Sequence, residues 1–190
     1  MEKRNSYFKT SFKTRAADDG AKYIEGYFAV FNQETELWQG TFEQIAPGAF
    51  DTSLEKNDIR CLFNHNSDVV LGRTGNGTLT LRADAHGLFG SVRINEADKQ
   101  ALDIYARVER GDIDGCSFGF WPTRQEYEDR PDDTTLWTVL DADTIEVSVV
   151  TFPAYPQTAV TAAKRSFDAA RAENRDAKIA RIKKKMEAKK

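Results

Sequence analysis

Three residue types that cooperate in acyl transfer occur in this chain. Ser117 lies between two glycines in Gly115-Cys116-Ser117-Phe118-Gly119, a G-x-S-x-G pattern. There are two histidines, His65 and His86. One acid, Glu146, sits inside the apolar run "DTIEVSVVTFP". A serine hydroxyl is a weak nucleophile until a base within hydrogen-bond reach takes its proton, and a third polar group normally orients that base.

G-x-S-x-G also marks the strained strand-to-helix elbow of the α/β-hydrolases, but the context here excludes it. In that fold the serine precedes a helix, and acid and histidine follow it along the chain. Here Phe120-Trp121-Pro122 follows the serine and both histidines precede it. The alternation of strands and helices is also missing. A triad is defined by geometry and not by chain order, so other arrangements stay open. His65 ends an apolar run between Asn64 and Asn66, at a strand terminus where a cleft can form. His86 precedes Gly87 in an expected hairpin turn, where a histidine is ordinarily just exposed. His65 is therefore the preferred base. Glu146 shares a strand face with Thr144, Ser148 and Val150. A half-buried carboxylate needs a partner and an exposed one does not, and the sequence alone leaves both readings open. Cys116 points to the opposite strand face from Ser117 and is expected to pack rather than compete as nucleophile. Arg73, shortly after His65, reads as a surface hairpin arginine.

These residues need elements to hold them. "KYIEGYFAVF", 22–31, alternates and is rich in aromatics, so it predicts a strand. Pro47-Gly48 marks a turn, after which "DTSLEKN" predicts a short helix with Asp51 as N-cap. "DIRCLFNHN", 58–66, predicts a strand leading into a loop that holds His65. Residues 72–94 suit a meander that turns at Asp84-Ala85-His86-Gly87. Residues 95–112 switch to helical spacing, with Ala101, Leu102, Tyr105 and Val108 on one side, Asn95 as N-cap and Gly111 as stop. "GCSFGFWP" returns to extended character. Residues 134–156 read as two strands joined near Asp141–Asp143.

The 190 residues predict one domain with appendages, and 40% hydrophobic residues with twelve Phe supply a core. No apolar run is long enough to span a membrane, and the charged N-terminus lacks the apolar core of a secretory signal. The two cysteines and two histidines show no metal-ligand spacing, and neither a metal nor a cofactor is expected. A cytosolic setting follows from the sparse cysteines. The net charge of −3 conceals an asymmetry: residues 1–15 carry +4, residues 164–190 carry +7, and the body between them carries −14. The tail after 162 has no Gly or Pro, and its sizeable apolar residues are Phe167, Ile179, Ile182 and Met186. It is expected to form a weakly amphipathic helix or to order only with a partner.

Read in order, "GYFAVFN", "IAPGAF", "FNHN", "LGRTGNGTLTL", "HGLFGSVRI", "ARVERGDIDGCSFGF" and "IEVSVVTFPAYPQTAV" resemble the prohead proteases of tailed bacteriophages, the HK97-like group. The resemblance covers about 22–163 and extends distantly to the herpesvirus assemblins. It implies a β-rich α+β fold with an assemblin-like β-barrel core, flanking helices and a basic C-terminal tail. The implied layout is a basic segment 1–21, a protease domain 22–163 and a tail 164–190. The implied activity is that of a serine endopeptidase with Ser117 as nucleophile, His65 as base and Glu146 as third member, where the assemblins use another histidine. His86 matches no family histidine. Cys116 beside the nucleophile, and Tyr155 where many relatives carry Asn, are departures. The resemblance further implies a protease that acts inside the prohead, in the host cytoplasm, on the major capsid protein, its scaffolding segment and often itself. Self-association is left open and no membrane is involved.

Two other classes stay in view. The same fold could serve a non-enzymatic capsid-assembly scaffold, which the joint presence of Ser117 and His65 argues against. The tail could attract nucleic acid nonspecifically, but with no aromatic interleaving apart from Phe167 it offers no stacking readout.

Overall fold

The computed structural model describes residues 3–9, 12–17, 20–152 and 183–184. Lys3–Tyr155 form one compact unit. Residues 1–2 and 156–190 form a second, in which only Lys183 and Lys184 are described, helical and exposed. The expectation for the 164–190 tail otherwise lies outside the described residues.

Strands β10 (Gly115–Asp129) and β11 (Thr135–Val150) make a long antiparallel hairpin that organises the first sheet. β1 (Arg4–Lys9) pairs antiparallel with the outer edge of β10. The other edge of β11 is shared. Its first part pairs in parallel with β5 (Thr41–Ile45), which carries β4 (Thr35–Trp38). Its last part pairs in parallel with β6 (Arg60–Phe63), which carries β7 (Asn66–Arg73). The second sheet is antiparallel, in the order β2 (Lys13–Ala16), β3 (Lys22–Val30), β9 (Gly87–Arg93), β8 (Leu79–Ala83).

The β-rich α+β class holds, but the expected barrel does not. Among the described residues neither sheet closes on itself: the first ends at β1 and forks at β11, and the second ends at β2 and β8. Closing a barrel requires each strand to have one neighbour on each side. β11 instead offers a single edge to two partners, so the sheet divides at this strand. The core lies between the sheets, where Ile24, Phe28, Leu88 and Val92 of one meet Cys61, Phe118, Phe120, Val147 and Val149 of the other. Phe50 joins the layers, with ring centroids 5.9 Å from Phe31 and 5.2 Å from Phe118.

The two strands predicted in 134–156 are one. Asp141 and Asp143 alternate with buried Ala142 and Thr144, and that pattern keeps the strand going through a turn-like composition. Register shifts around Pro122–Gln125 on the partner strand fall opposite this stretch. Helix α2 (Lys99–Arg110) buries Ala101, Ile104, Tyr105 and Val108; Ile104 stands on the buried face where Leu102 was expected, and Leu102 is only half-buried. Its N-cap is Asp98 and not Asn95: Asp98 Oδ1 accepts from the N–H groups of Gln100 at 2.9 Å and Ala101 at 3.3 Å. Asn95 holds the preceding turn by accepting from Ala97 N–H. Gly111 stops the helix at φ 84°. In α1 (Asp51–Lys56), Asp51 is in the first turn and Phe50 occupies the cap. No helix among the described residues is long and apolar enough to cross a membrane.

Candidate active site

β6 and β7 are joined by two residues, Asn64 and His65, with φ 52° and 58°. Two-residue hairpins favour positive φ at both central positions, and the second is normally glycine. A histidine held there stores strain on the order of 1–3 kcal/mol. Contacts to the end of β11 hold the turn in place. Asn64 N–H donates to Val149 O at 2.9 Å, Thr151 N–H donates to Asn64 Oδ1 at 2.9 Å, and Asn64 Nδ2 donates to Thr151 Oγ1 at 3.3 Å. The turn thus delivers the imidazole to the last third of β11.

Glu146 lies there, 2% exposed. His65 Nδ1 is 2.7 Å from its Oε1, and Ser148 Oγ donates to its Oε2 at 2.7 Å. Lys3 Nζ lies 3.4 Å from Oε1. Burial opposes the charge of this carboxylate, but the His65 and Ser148 hydrogen bonds and the Lys3 cation outweigh it, so the group is held below the ordinary carboxyl range. An ionised carboxylate only accepts, so Nδ1 of His65 carries the hydrogen and Nε2 is the basic nitrogen of the neutral ring.

Ser117 is fully buried and pairs with Ser148 across the β10–β11 ladder, while Gly119 pairs with Glu146. Directly paired residues project to the same face, so Ser117, Ser148 and Glu146 share one side of the sheet. Cys116 faces the other way, its Sγ donating to Tyr27 O at 3.2 Å and Phe28 O at 3.5 Å, which is the packing role expected of it. Cys61 is also buried, and burial pushes its thiol far up, reinforced by the nearby Glu146 charge. His86 sits in the β8–β9 turn, edge-on to Tyr27 with centroids 4.5 Å apart. Arg73 pairs with Asp58, whose Oδ1 also accepts from Gly75 N–H at 2.9 Å. The structure thus joins His65 to Glu146 directly and sets Ser117 one strand away on the same face.

A model of the caudovirus prohead serine protease family matches residues 10–173, a span that holds all three of these residues. The chain belongs to that family. Among curated proteins, the prohead protease of Enterobacteria phage HK97 is 29% identical over 150 residues, 77% of this chain. The match spans 62% of that relative's length. Among solved structures, the bacteriophage T4 capsid assembly protease, gp21, superposes with a TM-score of 0.47 at 10% identity, covering 77% of this chain and 99% of that one.

Within this prohead protease family member, three residues around the site escaped the sequence reading. Ser148 was legible as a face-mate of Glu146, two residues on, but not as its hydrogen-bond donor. Gly119 completes the G-x-S-x-G pattern for a steric reason: a Cβ there would lie 2.3 Å from Glu146 Oε1. Lys3 belongs to a segment read only as basic, with no signal that it would reach an acid 143 residues away.

Proposed function

We propose that this chain is a serine endopeptidase of head maturation, acting on the major capsid protein and its scaffolding segment inside the prohead, and on itself. The observation that carries the reading is the buried His65–Glu146 hydrogen bond of 2.7 Å on the sheet face that also bears Ser117. Membership of the prohead serine protease family supports it.

The mechanism follows from the groups present. Ser117 Oγ attacks the scissile carbonyl carbon as its proton passes to His65 Nε2. Glu146 holds the Nδ1–H tautomer and stabilises the imidazolium that forms. Collapse of the tetrahedral intermediate breaks the C–N bond, and His65 returns the proton to the leaving amine. Water then attacks the acyl-enzyme by the same route, releasing the acid and restoring Ser117. The domain that does this spans 22–163 together with β1 and β2 of the basic segment 1–21, which are strands of its sheets, and the 164–190 tail follows it. The tail's +7 charge gives it a role in holding the protease within the assembling shell.

The test is mass spectrometry of the chain incubated with capsid protein over time. Discrete cuts are expected that vanish in Ser117→Ala and in His65→Ala, with the double variant no worse than either single one, because the pair acts as a unit. Unchanged cleavage in Ser117→Ala would overturn the assignment. Absence of any cut in the unaltered protein would favour the non-enzymatic scaffold.

A further inference from the structure

Both lateral edges of β10 are occupied where it carries Ser117. Ser148 of β11 is on one side, and Tyr7 of β1 is on the other in antiparallel register. Ser117 itself is 0% exposed. An extended peptide that adds to a sheet edge takes the backbone hydrogen bonds of that edge. The outer edge of β10 also runs beside Ser117, and residues 4–9 of this chain already fill it.

The occupying segment is anchored by charge. Arg4 is 6% exposed, and its Nη1 donates to Glu43 Oε2 at 3.2 Å and to Gln125 Oε1 at 3.0 Å. Glu43 is 4% exposed. Lys3 adds its contact to Glu146. The seat is imperfect next to these anchors: Asn5 Oδ1 is buried with no hydrogen-bond partner among the described residues. A buried acceptor left unsatisfied subtracts from what the ladder and the ion pairs contribute.

We propose that the outer edge of β10 is the binding channel for an extended basic peptide, with residues 3–9 as its resident occupant. Glu43 and Gln125 form its pocket for an Arg or Lys side chain. That side chain stands three residues before the residue opposite Ser117, as Arg4 stands before Tyr7. An incoming strand without a cation there would strip Glu43 of its Arg4 partner in a buried site, and breaking such a pair is strongly unfavourable. A strand that brings a cation restores the pair, so the exchange selects basic peptides. Occupancy by residues 3–9 keeps the edge closed until such a peptide displaces them. The link from this edge to catalysis rests on the endopeptidase reading, but the binding itself does not.

The probe is a fluorescent peptide of residues 1–12 of this chain, titrated by anisotropy into full-length Ser117→Ala protein, which removes cleavage from the measurement. Binding is expected, and it should tighten by at least about tenfold when the resident strand is weakened by Arg4→Gln in the protein. The same substitution in the peptide should weaken binding by a similar factor. If Arg4→Gln fails to fold by circular dichroism, Lys3→Gln replaces it, and an increase of about threefold is expected because Lys3 is a more exposed anchor. No binding, or equal affinity across the protein variants, would make β1 a permanent strand of the sheet and overturn the proposal. Equal affinity of the two peptides would overturn the basic pocket. Because Ser117→Ala protein is used throughout, these outcomes are independent of whether the chain cleaves anything.

Discussion

Gly119 and Glu146 face each other across the β10–β11 ladder, and the carboxylate occupies the space that a side chain at 119 would fill. Lys3 Cε would also lie 2.7 Å from a Cβ at that position. The second glycine of the serine motif thus leaves the room that the carboxylate hydrogen-bonded to His65 fills.

Gly119→Ala should therefore push the carboxylate off His65. A misplacement of about 1 Å in a catalytic group costs on the order of 100-fold in rate. The expected result is a kcat loss of that size in a capsid-protein cleavage assay, with folding retained. Wild-type turnover would mean that Glu146 relaxes without consequence.

The positive φ of His65 makes a separate prediction about stability. His65→Ala and His65→Gly both remove the imidazole, so their difference isolates the backbone. The glycine variant should be more stable by about 1 kcal/mol, because only glycine adopts that conformation without strain. Urea unfolding of the two inactive proteins measures it, and equal midpoints would remove the strain from the account.

Ser148→Ala should lower turnover by roughly tenfold, well short of the loss in Ser117→Ala, because it deletes one hydrogen bond to a charged group. Ser148→Thr, which keeps a hydroxyl, should recover part of the activity. Glu146→Gln should likewise reduce turnover less than loss of Ser117, the ordering known for the acid of subtilisin.

The lowered Glu146 carboxyl also predicts a pH dependence. Its folded value lies below the ordinary 4.5. The stability it contributes is therefore fully present above that ordinary value and is lost as pH falls through the folded value. Thermal unfolding of the wild type and Glu146→Gln from about pH 7 down to about pH 3 should show a gap that narrows in acid. A constant gap would mean that the carboxylate gains nothing from His65, Ser148 and Lys3.

Removing 164–190 takes +7 from the chain. The truncated protein is expected to cleave a peptide normally but to enter proheads poorly, since exposed charge acts mainly by long-range attraction that salt screens. Protease copies per particle, counted for full-length and truncated Ser117→Ala protein, measure this. Equal counts would leave the tail without a docking role.

Local pattern was enough to locate α2, β3, the turn at Asp84–Gly87 and the His65 position, because each follows from periodicity or from turn chemistry within a few residues. The same pattern misread Asp141–Asp143 as a turn, since burial of their neighbours is decided by strands far away in the chain. Asn95 and Asp98 are both residue types that cap helices, and the structure puts Asp98 at the cap while Asn95 holds the turn before it. The Glu146 alternatives could not be separated from sequence, because the answer depends on a turn 81 residues earlier. The barrel was an inference from distant kinship, and the fork at β11 is a pairing choice that no local signal encodes.

β11 is the last described strand, yet it is the one that β5 and β6 both pair with, and it carries the acid for His65. On the ribosome, β5 and β6 must therefore wait with open edges until residues 135–149 have emerged. Such long-range pairing folds slowly and leaves the nascent chain in need of protection. A polypeptide whose synthesis stops before residue 146 has His65 and Ser117 but lacks the carboxylate that hydrogen-bonds the imidazole and the Ser148 hydroxyl, so this buried cluster assembles only after most of the unit has been made.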